Sequence, residues 1–367
     1  MPADATCGGR SSTPRRKILL VSHFPLEEIT GVTVILSEIV RLWPNITSTT
    51  ELAHLSLSDL PSRALSATRL DAHGMRPDAL VGVNLHIEVE WERSLDLFSL
   101  CRAKEIAAYN YVHDYWPHHR SNVERLTAGL GVQLLASTKF ISDLLRQAGF
   151  GSTIVPVGVR LPDDNLLPDP GKVSSGLVGA AGRLSPRKRF PDIVRGFCDA
   201  RQEGQRLYLK LLPSLVFNPE EDAAQLLAVT DEISRGRAEG FVDIDRKAAQ
   251  RHDYSRYSLY VCASSYEGFS MTPIEAAYCG CPPLMSEIPA HRRIAEALFG
   301  DHADEFMFQV GDTAALTRDL RDELTKGRRR LLLAQTQAQI RKSIATRWSL
   351  ETTVRALAGL VETSPHD

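Results

Sequence analysis

Unbroken apolar runs alternate with amphipathic stretches along most of this chain. The first run, Lys17-Ile-Leu-Leu-Val-Ser-His, has a basic entry and then apolar side chains at successive positions. That pattern predicts a strand buried on both faces, as in a parallel sheet. Apolar residues at helical spacing follow over Val32–Trp43. Further strands are predicted at Ala79–Val83, Ile106–Val112 and Gln133–Ala136, with helices near Trp91–Lys104, Arg120–Gly129 and Phe140–Gln147. Such alternation argues a doubly wound sheet.

The pattern breaks around Val155–Lys172, where Pro156, Pro162, Pro168 and Pro170 mix with Gly and Asp as in an interdomain linker. A second alternation then runs through strands at Gly176–Ala181, Leu207–Leu212, Phe241–Val242, Leu259–Ala263, Pro283–Ser286 and Phe306–Phe308. Its helices fall at Phe190–Glu203, Glu221–Arg235, Pro273–Cys279 and His291–Phe299. One architecture is therefore repeated without repeating its sequence. The expected organisation is a disordered tail at 1–14, a first domain at 15–155, a linker at 156–172, a second domain at 173–345 and a terminal helix at 346–367. The Arg328-Arg-Arg run followed by Leu331-Leu-Leu reads as a solvated helix face. Ser349, in Trp348-Ser-Leu-Glu, reads as the N-cap of the last helix.

At 367 residues the chain exceeds the size at which one core keeps growing, which agrees with two domains. A net charge of −2 gives no general reason to expect a nucleic-acid partner, so any phosphate chemistry must rest on local charge. The six cysteines show no CxxC pair and no metal-ligand spacing, and they read as small buried hydrophobes in a reducing compartment without disulfides. No run reaches the roughly 18 apolar residues of a membrane helix. The polar start, Met1 to Pro14, lacks the apolar core of a signal peptide, so a cytoplasmic location is expected.

The most informative stretch is Tyr266-Glu-Gly-Phe-Ser-Met-Thr-Pro-Ile-Glu-Ala-Ala-Tyr-Cys-Gly-Cys-Pro-Pro, in which Glu267 and Glu275 stand eight positions apart. Phe269, Ser270, Met271 and Thr272 are expected to form a loop, Pro273 to open a helix, and Gly280 with Pro282 to end it. Free N–H groups and the helix dipole then make a phosphate seat, with Glu275 in the same first turn beside it to reach hydroxyls. Phosphate, hydroxyls and carboxylates together describe a nucleotide sugar. A second basic loop, Arg183-Leu-Ser-Pro-Arg-Lys188-Arg, follows a strand where open α/β sheets bind ligands. The glycines at 176, 179 and 182 have the wrong spacing for a dinucleotide fingerprint, and no acidic residue follows at the ribose-binding distance, which speaks against an oxidoreductase.

The E-x7-E stretch, the preceding Ala180-Ala-Gly-Arg-Leu-Ser-Pro-Arg-Lys and the following Pro283-Leu-Met-Ser-Glu-Ile-Pro-Ala-His together resemble glycosyltransferase family 4, a family of retaining enzymes. The resemblance implies the GT-B fold, two facing Rossmann-like doubly wound domains with a C-terminal helix crossing back to the first. It also implies a transfer of sugar from a nucleotide-diphosphate sugar to an acceptor hydroxyl, without metal or other cofactor. By this resemblance Arg183, Lys188 and the backbone of Phe269, Ser270, Met271 and Thr272 hold the diphosphate, and Glu275 the ribose. Glu267 and His113 meet the transferred sugar. Gly31, in Ile29-Thr-Gly-Val-Thr, matches the glycine loop through which the family's backbone approaches the donor.

Thr30, where many relatives have a glycine, departs from the family pattern beside Gly31, and two further departures, Ser270 for a glycine and Lys210-Leu-Leu-Pro-Ser-Leu in place of a glycine-rich turn, blur the base pocket. His113, Asp114, His118 and His119 also suggest a metal site, but the family needs none. The acceptor, a glycan, a lipid-linked sugar or a small molecule, is not legible. The Val32–Trp43 helix carries only Glu38 and Arg41 as charges, so peripheral membrane contact is weakly disfavoured. The alternatives are a non-catalytic sugar-binding or partner subunit, and an epimerase or phosphorylase on the same scaffold.

Overall fold

The computed structural model of the chain describes residues 15–26, 31–59, 77–162, 176–212, 219–246 and 254–362. The expected tail at 1–14, Thr30, and most of the expected linker lie outside these residues. Two six-stranded sheets carry the fold. The first contains β1 (Arg16–Ser22), β2 (Thr50–Ser56), β3 (Ala79–Val83), β4 (Ala107–Val112), β5 (Gln133–Ala136) and β6 (Thr153–Ile154), in the order β2-β1-β3-β4-β5-β6. The second contains β7 (Leu177–Arg183), β8 (Arg206–Leu212), β9 (Val242–Asp245), β10 (Leu259–Cys262), β11 (Pro283–Ser286) and β12 (Met307–Phe308), in the order β12-β11-β10-β7-β8-β9. Every recorded strand pair is parallel. Parallel strands need crossovers, and helices on both faces then bury the central strands completely, as they do all of β3.

The order of each sheet reverses at one place: between β1 and β3 in the first, and between β7 and β10 in the second. At such a switch point neighbouring loops leave in opposite directions, and the crevice between them at the carboxyl edge is where open α/β sheets bind ligands. Two strands were not foreseen. β2 is a half-buried edge strand that mixes Glu51 and His54 with apolar residues, and β6 is an exposed pair of residues. Neither has the continuous apolar run that marks a central parallel strand.

The helices of the first lobe are α1 (Gly31–Ile46), α2 (Trp91–Ala103), α3 (Arg120–Glu124, continued by one wide turn to Gly129) and α4 (Lys139–Gln147). The second lobe has α5 (Phe190–Ala200), α6 (Pro219–Arg235), α7 (Met271–Tyr278), α8 (Pro289–Phe299), α9 (Thr313–Lys326) and α10 (Arg328–Arg347). A last helix, α11 (Leu350–Glu362), crosses back: Leu350, Val354 and Leu357 share the first lobe's core with Ile35, Leu36 and Ile39 of α1. Ser349 caps it, its Oγ accepting from Thr352 N at 3.2 Å. The arginine run is not simply a solvated face. Arg329 is buried and pairs with Asp319 and Glu323, because α9 and α10 meet at Gly327 and turn a carboxylate towards it.

Two stretches of chain connect the lobes among the described residues, and they are bonded together. Val159 N donates to Trp348 O at 2.8 Å, and Thr353 Oγ1 to Pro156 O at 2.8 Å. Val157 lies in the first lobe's core and Val159 in the second's. The start of the expected linker is therefore buried and shared between both lobes.

Candidate functional site

In the second lobe the four cations that follow β7 have separate surroundings. Arg187 reaches Asp114 of the first lobe at 3.2 Å, and Arg189, in a left-handed conformation ahead of α5, pairs with Asp192 at 2.5 Å. Lys188 Nζ donates to Glu267 Oε1 at 2.6 Å. Arg183 forms no ion pair among the described residues. Burial, then Arg187, lowers its pKa, while Glu267, Asp114 and Asp222 oppose this. The Lys188–Glu267 pair therefore spans the switch point, joining the loop after β7 to the loop after β10.

Glu267 is itself buried. Burial pushes its carboxyl upward, but the charges of Lys188 and Arg187 and hydrogen bonds from Lys188 and Ser264 outweigh this and hold it at about 2. Both recorded bonds, from Lys188 Nζ and from Ser264 Oγ at 2.7 Å, fall on Oε1. Oε2 accepts no recorded bond among the described residues. Ser264 was missed in the sequence, since a serine before a loop carries no signal of its own. Ser286 Oγ in turn donates to Ser264 O, which ties the loop to β11.

The helix after this loop starts earlier than the sequence pattern indicates. Met271 and Thr272 lie in the first turn of α7, Ser270 is the N-cap residue, and Pro273 sits third. A proline is tolerated there because the first four N–H groups of a helix have no intrahelical partner. Glu275 accordingly falls in the second turn rather than the first, and one of its oxygens accepts from Tyr254 OH at 2.6 Å. Ser270 does not cap the helix with its side chain; its hydroxyl meets His291 Nε2 at 3.1 Å. His291 Nδ1 stands 2.9 Å from Ser286 O, so Nδ1 carries the proton and Nε2 accepts from Ser270. Burial lowers the His291 pKa to about 4, which keeps the ring neutral. Ser270, a departure from the family pattern, thus has a buried partner, and His291 joins the residues that sequence reading did not single out.

In the first lobe His113 follows β4, half-buried, with its ring edge-on to Tyr111 at 4.2 Å. Its Nε2 is enclosed and has no hydrogen-bond partner among the described residues, and burial lowers its pKa to about 4. The backbone around it is clamped from the loop after β3. Asn84 Oδ1 accepts from His113 N at 2.7 Å, and His86 Nε2 donates to Asp114 O at 2.9 Å. Gly31 opens α1 at the carboxyl side of β1.

Of the suspected metal set, His118 and His119 gather with Glu88, and not with His113 and Asp114. The ring chemistry does not suit an ion. Trp116 N–H donates to His119 Nδ1 at 3.3 Å, so the neutral ring carries its proton on Nε2, facing Glu88 at 3.4 Å. No lone pair remains on Nε2 for a metal.

The two lobes meet beside Glu267. A side chain at Gly268 would put its Cβ 2.1 Å from His113 O, and Thr138 Oγ1 donates to Gly268 O at 3.3 Å. Tyr266 packs against Trp116 with the rings tilted and their centroids 4.1 Å apart, and donates from its hydroxyl to Tyr115 O at 3.0 Å. Phe269 and Met271 pack against the cores of both lobes. Lys188 is thus paired with Glu267, Arg183 lies within electrostatic reach of Glu267, and the loop that carries His113 packs against Gly268 just before α7.

The fold this geometry defines is GT-B, two facing Rossmann-like domains with a helix crossing back. Sucrose-phosphate synthase from Thermosynechococcus elongatus has the same fold, with a TM-score of 0.69 at 13% identity over 95% of this chain and 98% of that one. The lipopolysaccharide-biosynthesis glycosyltransferase WaaG gives a TM-score of 0.64 at 14% identity over 95% and 100% of the two chains. Residues 246–340, the part of the second lobe that holds Glu267 and Glu275, match the family model of glycosyl transferases group 1. In sequence the chain is 28% identical over 109 residues to the GtfA subunit of the UDP-N-acetylglucosamine–peptide N-acetylglucosaminyltransferase of Streptococcus pneumoniae, covering 30% of this chain and 20% of that one. It is 23% identical over 182 residues to the GtfA subunit of Streptococcus parasanguinis, covering 48% and 33%. The matched segments thus span a third or less of the curated relatives' length. Family match and architecture together support a role in glycosyl transfer.

Proposed function

We propose that this protein is a retaining, metal-independent glycosyltransferase that moves a sugar from a nucleotide-diphosphate sugar to an acceptor hydroxyl. The observation that carries this reading is the Lys188–Glu267 pair across the switch point of the second sheet, with Arg183 half-buried at the end of β7, within electrostatic reach of Glu267 and without an ion pair among the described residues. Breaking the bond from the anomeric carbon to phosphate builds negative charge on the departing diphosphate. Cations fixed there stabilise that state more than the ground state. An ammonium has three N–H donors, so Lys188 can keep Glu267 and still meet a phosphate oxygen. Arg183 offers a fork to two oxygens. The N–H groups at the start of α7 complete the seat.

Glu267, fixed as the carboxylate, accepts from hydroxyls of the transferred sugar through Oε2. Glu275, held by Tyr254, serves the ribose, and the backbone at Gly31 faces the donor. His113 stays neutral at working pH and offers its enclosed Nε2 to the sugar. Glu267 itself is held by Lys188 and Ser264, and Asp114 by Arg187, which fits electrostatic and binding roles better than that of a nucleophile. We therefore assign a front-face route: the acceptor oxygen attacks the face that the phosphate leaves, its proton passes to the departing phosphate oxygen, and configuration is kept.

The first test is thermal stabilisation by UDP, GDP, ADP and dTDP, in which a ligand at about 100 times its dissociation constant adds roughly 2.7 kcal/mol. The matching nucleotide sugar is then followed by proton NMR for nucleotide release and for the anomeric configuration of the product. Release that persists in EDTA and an α product from an α donor are expected. An inverted product, or activity that vanishes in EDTA and returns with manganese, would overturn the reading. Nucleotide sugar consumed without acceptor but with isomerisation would instead indicate an epimerase.

A further inference from the structure

The first sheet has a switch point of its own, and one polar contact spans it. His23 follows β1 and Asn84 follows β3, the two neighbouring strands at which the order reverses. His23 Nε2 lies 3.0 Å from Asn84 O. A carbonyl can only accept, so Nε2 carries the proton and Nδ1 keeps its lone pair. His23 is 5% exposed, and its Nδ1 is enclosed without a hydrogen-bond partner among the described residues. Leaving such an atom unpaired in a folded protein is costly, so a donor from outside the chain, a water or a ligand hydroxyl, completes it.

We propose that His23 binds the sugar acceptor, its Nδ1 receiving a hydrogen bond from a hydroxyl of a polyhydroxylated, pyranose-like molecule. This rests on the glycosyl transfer argued above. Asn84 ties the new residue to the donor side. Its carbonyl holds His23, its Oδ1 accepts from His113 N at 2.7 Å, and its N–H donates to Tyr111 O at 3.0 Å. It does so with φ at 54°, a left-handed conformation that asparagine tolerates better than most residues. One strained residue thus fixes His23 and His113 relative to each other, as a reaction between two bound hydroxylated molecules requires. Burial lowers the His23 pKa against the opposing influences of the Asn84 carbonyl and Glu90, so the ring stays neutral and Nδ1 stays an acceptor.

The imidazole's two nitrogens can be tested separately. His23→Gln retains a side-chain N–H near the position of Nε2 but has no acceptor at Nδ1. His23→Asn places an amide oxygen near Nδ1 but loses the bond to Asn84. With methyl α-D-glucopyranoside as the probe acceptor and the donor found by the stabilisation screen, the partition of donor between water and glucoside is measured. His23→Gln is expected to raise the glucoside's half-saturation about tenfold while the donor's half-saturation is unchanged, the size of one lost hydrogen bond. His23→Asn is expected to stay closer to wild type, even though its melting temperature falls. The opposite order, His23→Gln normal and His23→Asn impaired, would assign His23 a purely structural role and overturn the proposal. A wild-type partition that does not respond to the glucoside would overturn it as well. Failure of every donor to release nucleotide would remove the functional reading itself, whereas normal release with an unaffected His23→Gln removes this proposal alone.

Discussion

Glu267 shows how a single buried charge reports on the site. Its folded pKa, about 2, lies below the ordinary carboxylate value of 4.5, so the pair stabilises the fold fully above that ordinary value and ceases to do so as pH falls towards 2. Lys188→Met removes the larger of its two cationic partners and leaves a buried carboxylate to be desolvated alone. The expected cost is about 3 kcal/mol at pH 7. The difference in melting temperature between wild type and variant should shrink as pH is lowered to 3, because the variant's Glu267 takes up a proton first. A difference that is constant from pH 7 to pH 3 would show that the two side chains are not coupled. His113 and His291, both held near 4 by burial, take up protons in the unfolded chain before they do in the fold, so each lowers stability as pH falls through the ordinary value of 6.5 towards 4.

At the scale of elements, the glycines at the seam are where added atoms decide the outcome. A Cβ at Gly268 would overlap the carbonyl of His113, and one at Gly158 would lie 2.6 Å from Leu350 N, in both cases against backbone that cannot rotate away. Gly158→Ala should lower stability by about 1–3 kcal/mol through overpacking. Gly268→Ala should leave each lobe folded but part the lobes, cutting transfer far more than nucleotide binding. Calorimetric melting and nucleotide titration distinguish these effects. Central elements were legible beforehand because fully buried parallel strands write themselves as apolar runs; β3, β5 and β11 begin and end where the pattern placed them. β2 and β6 were not, since edge strands need no such run. The helix after Glu267 was misplaced by two residues for a similar reason: proline suits any of the first positions of a helix, so it marks a start without fixing which residue comes first. Charged site residues could be named from their order along the chain, but Ser264, Tyr254 and His291 could not, because what they do depends on contacts across the sheet.

On the scale of the whole molecule, Lys188 and Glu267 stand on one lobe and His113 and His23 on the other, so neither lobe alone assembles the site. The seam of Tyr266 on Trp116 and Arg187 to Asp114 closes the crevice beside Glu267. The crossings at Val159 and Trp348, bonded to each other, are where a hinge between the lobes is expected. A nucleotide sugar that binds both lobes should favour the closed arrangement and exclude water from the donor. Small-angle scattering should show a smaller radius of gyration with the cognate nucleotide sugar, and no such change in Gly268→Ala. An unchanged radius in the wild type would mean that the lobes do not respond to ligand. No helix among the described residues is long and apolar enough to cross a membrane.

The central claim is that a diphosphate sits on Arg183 and Lys188 at the second switch point. It is tested most directly by calorimetric binding of a nucleoside diphosphate and of the same nucleoside without phosphates, to wild type and to Arg183→Ala and Lys188→Ala. The account predicts that wild type prefers the diphosphate by about a hundredfold, that each variant loses most of this preference, and that affinity for the bare nucleoside is unchanged. Equal preference for the diphosphate in wild type and in both variants would contradict it.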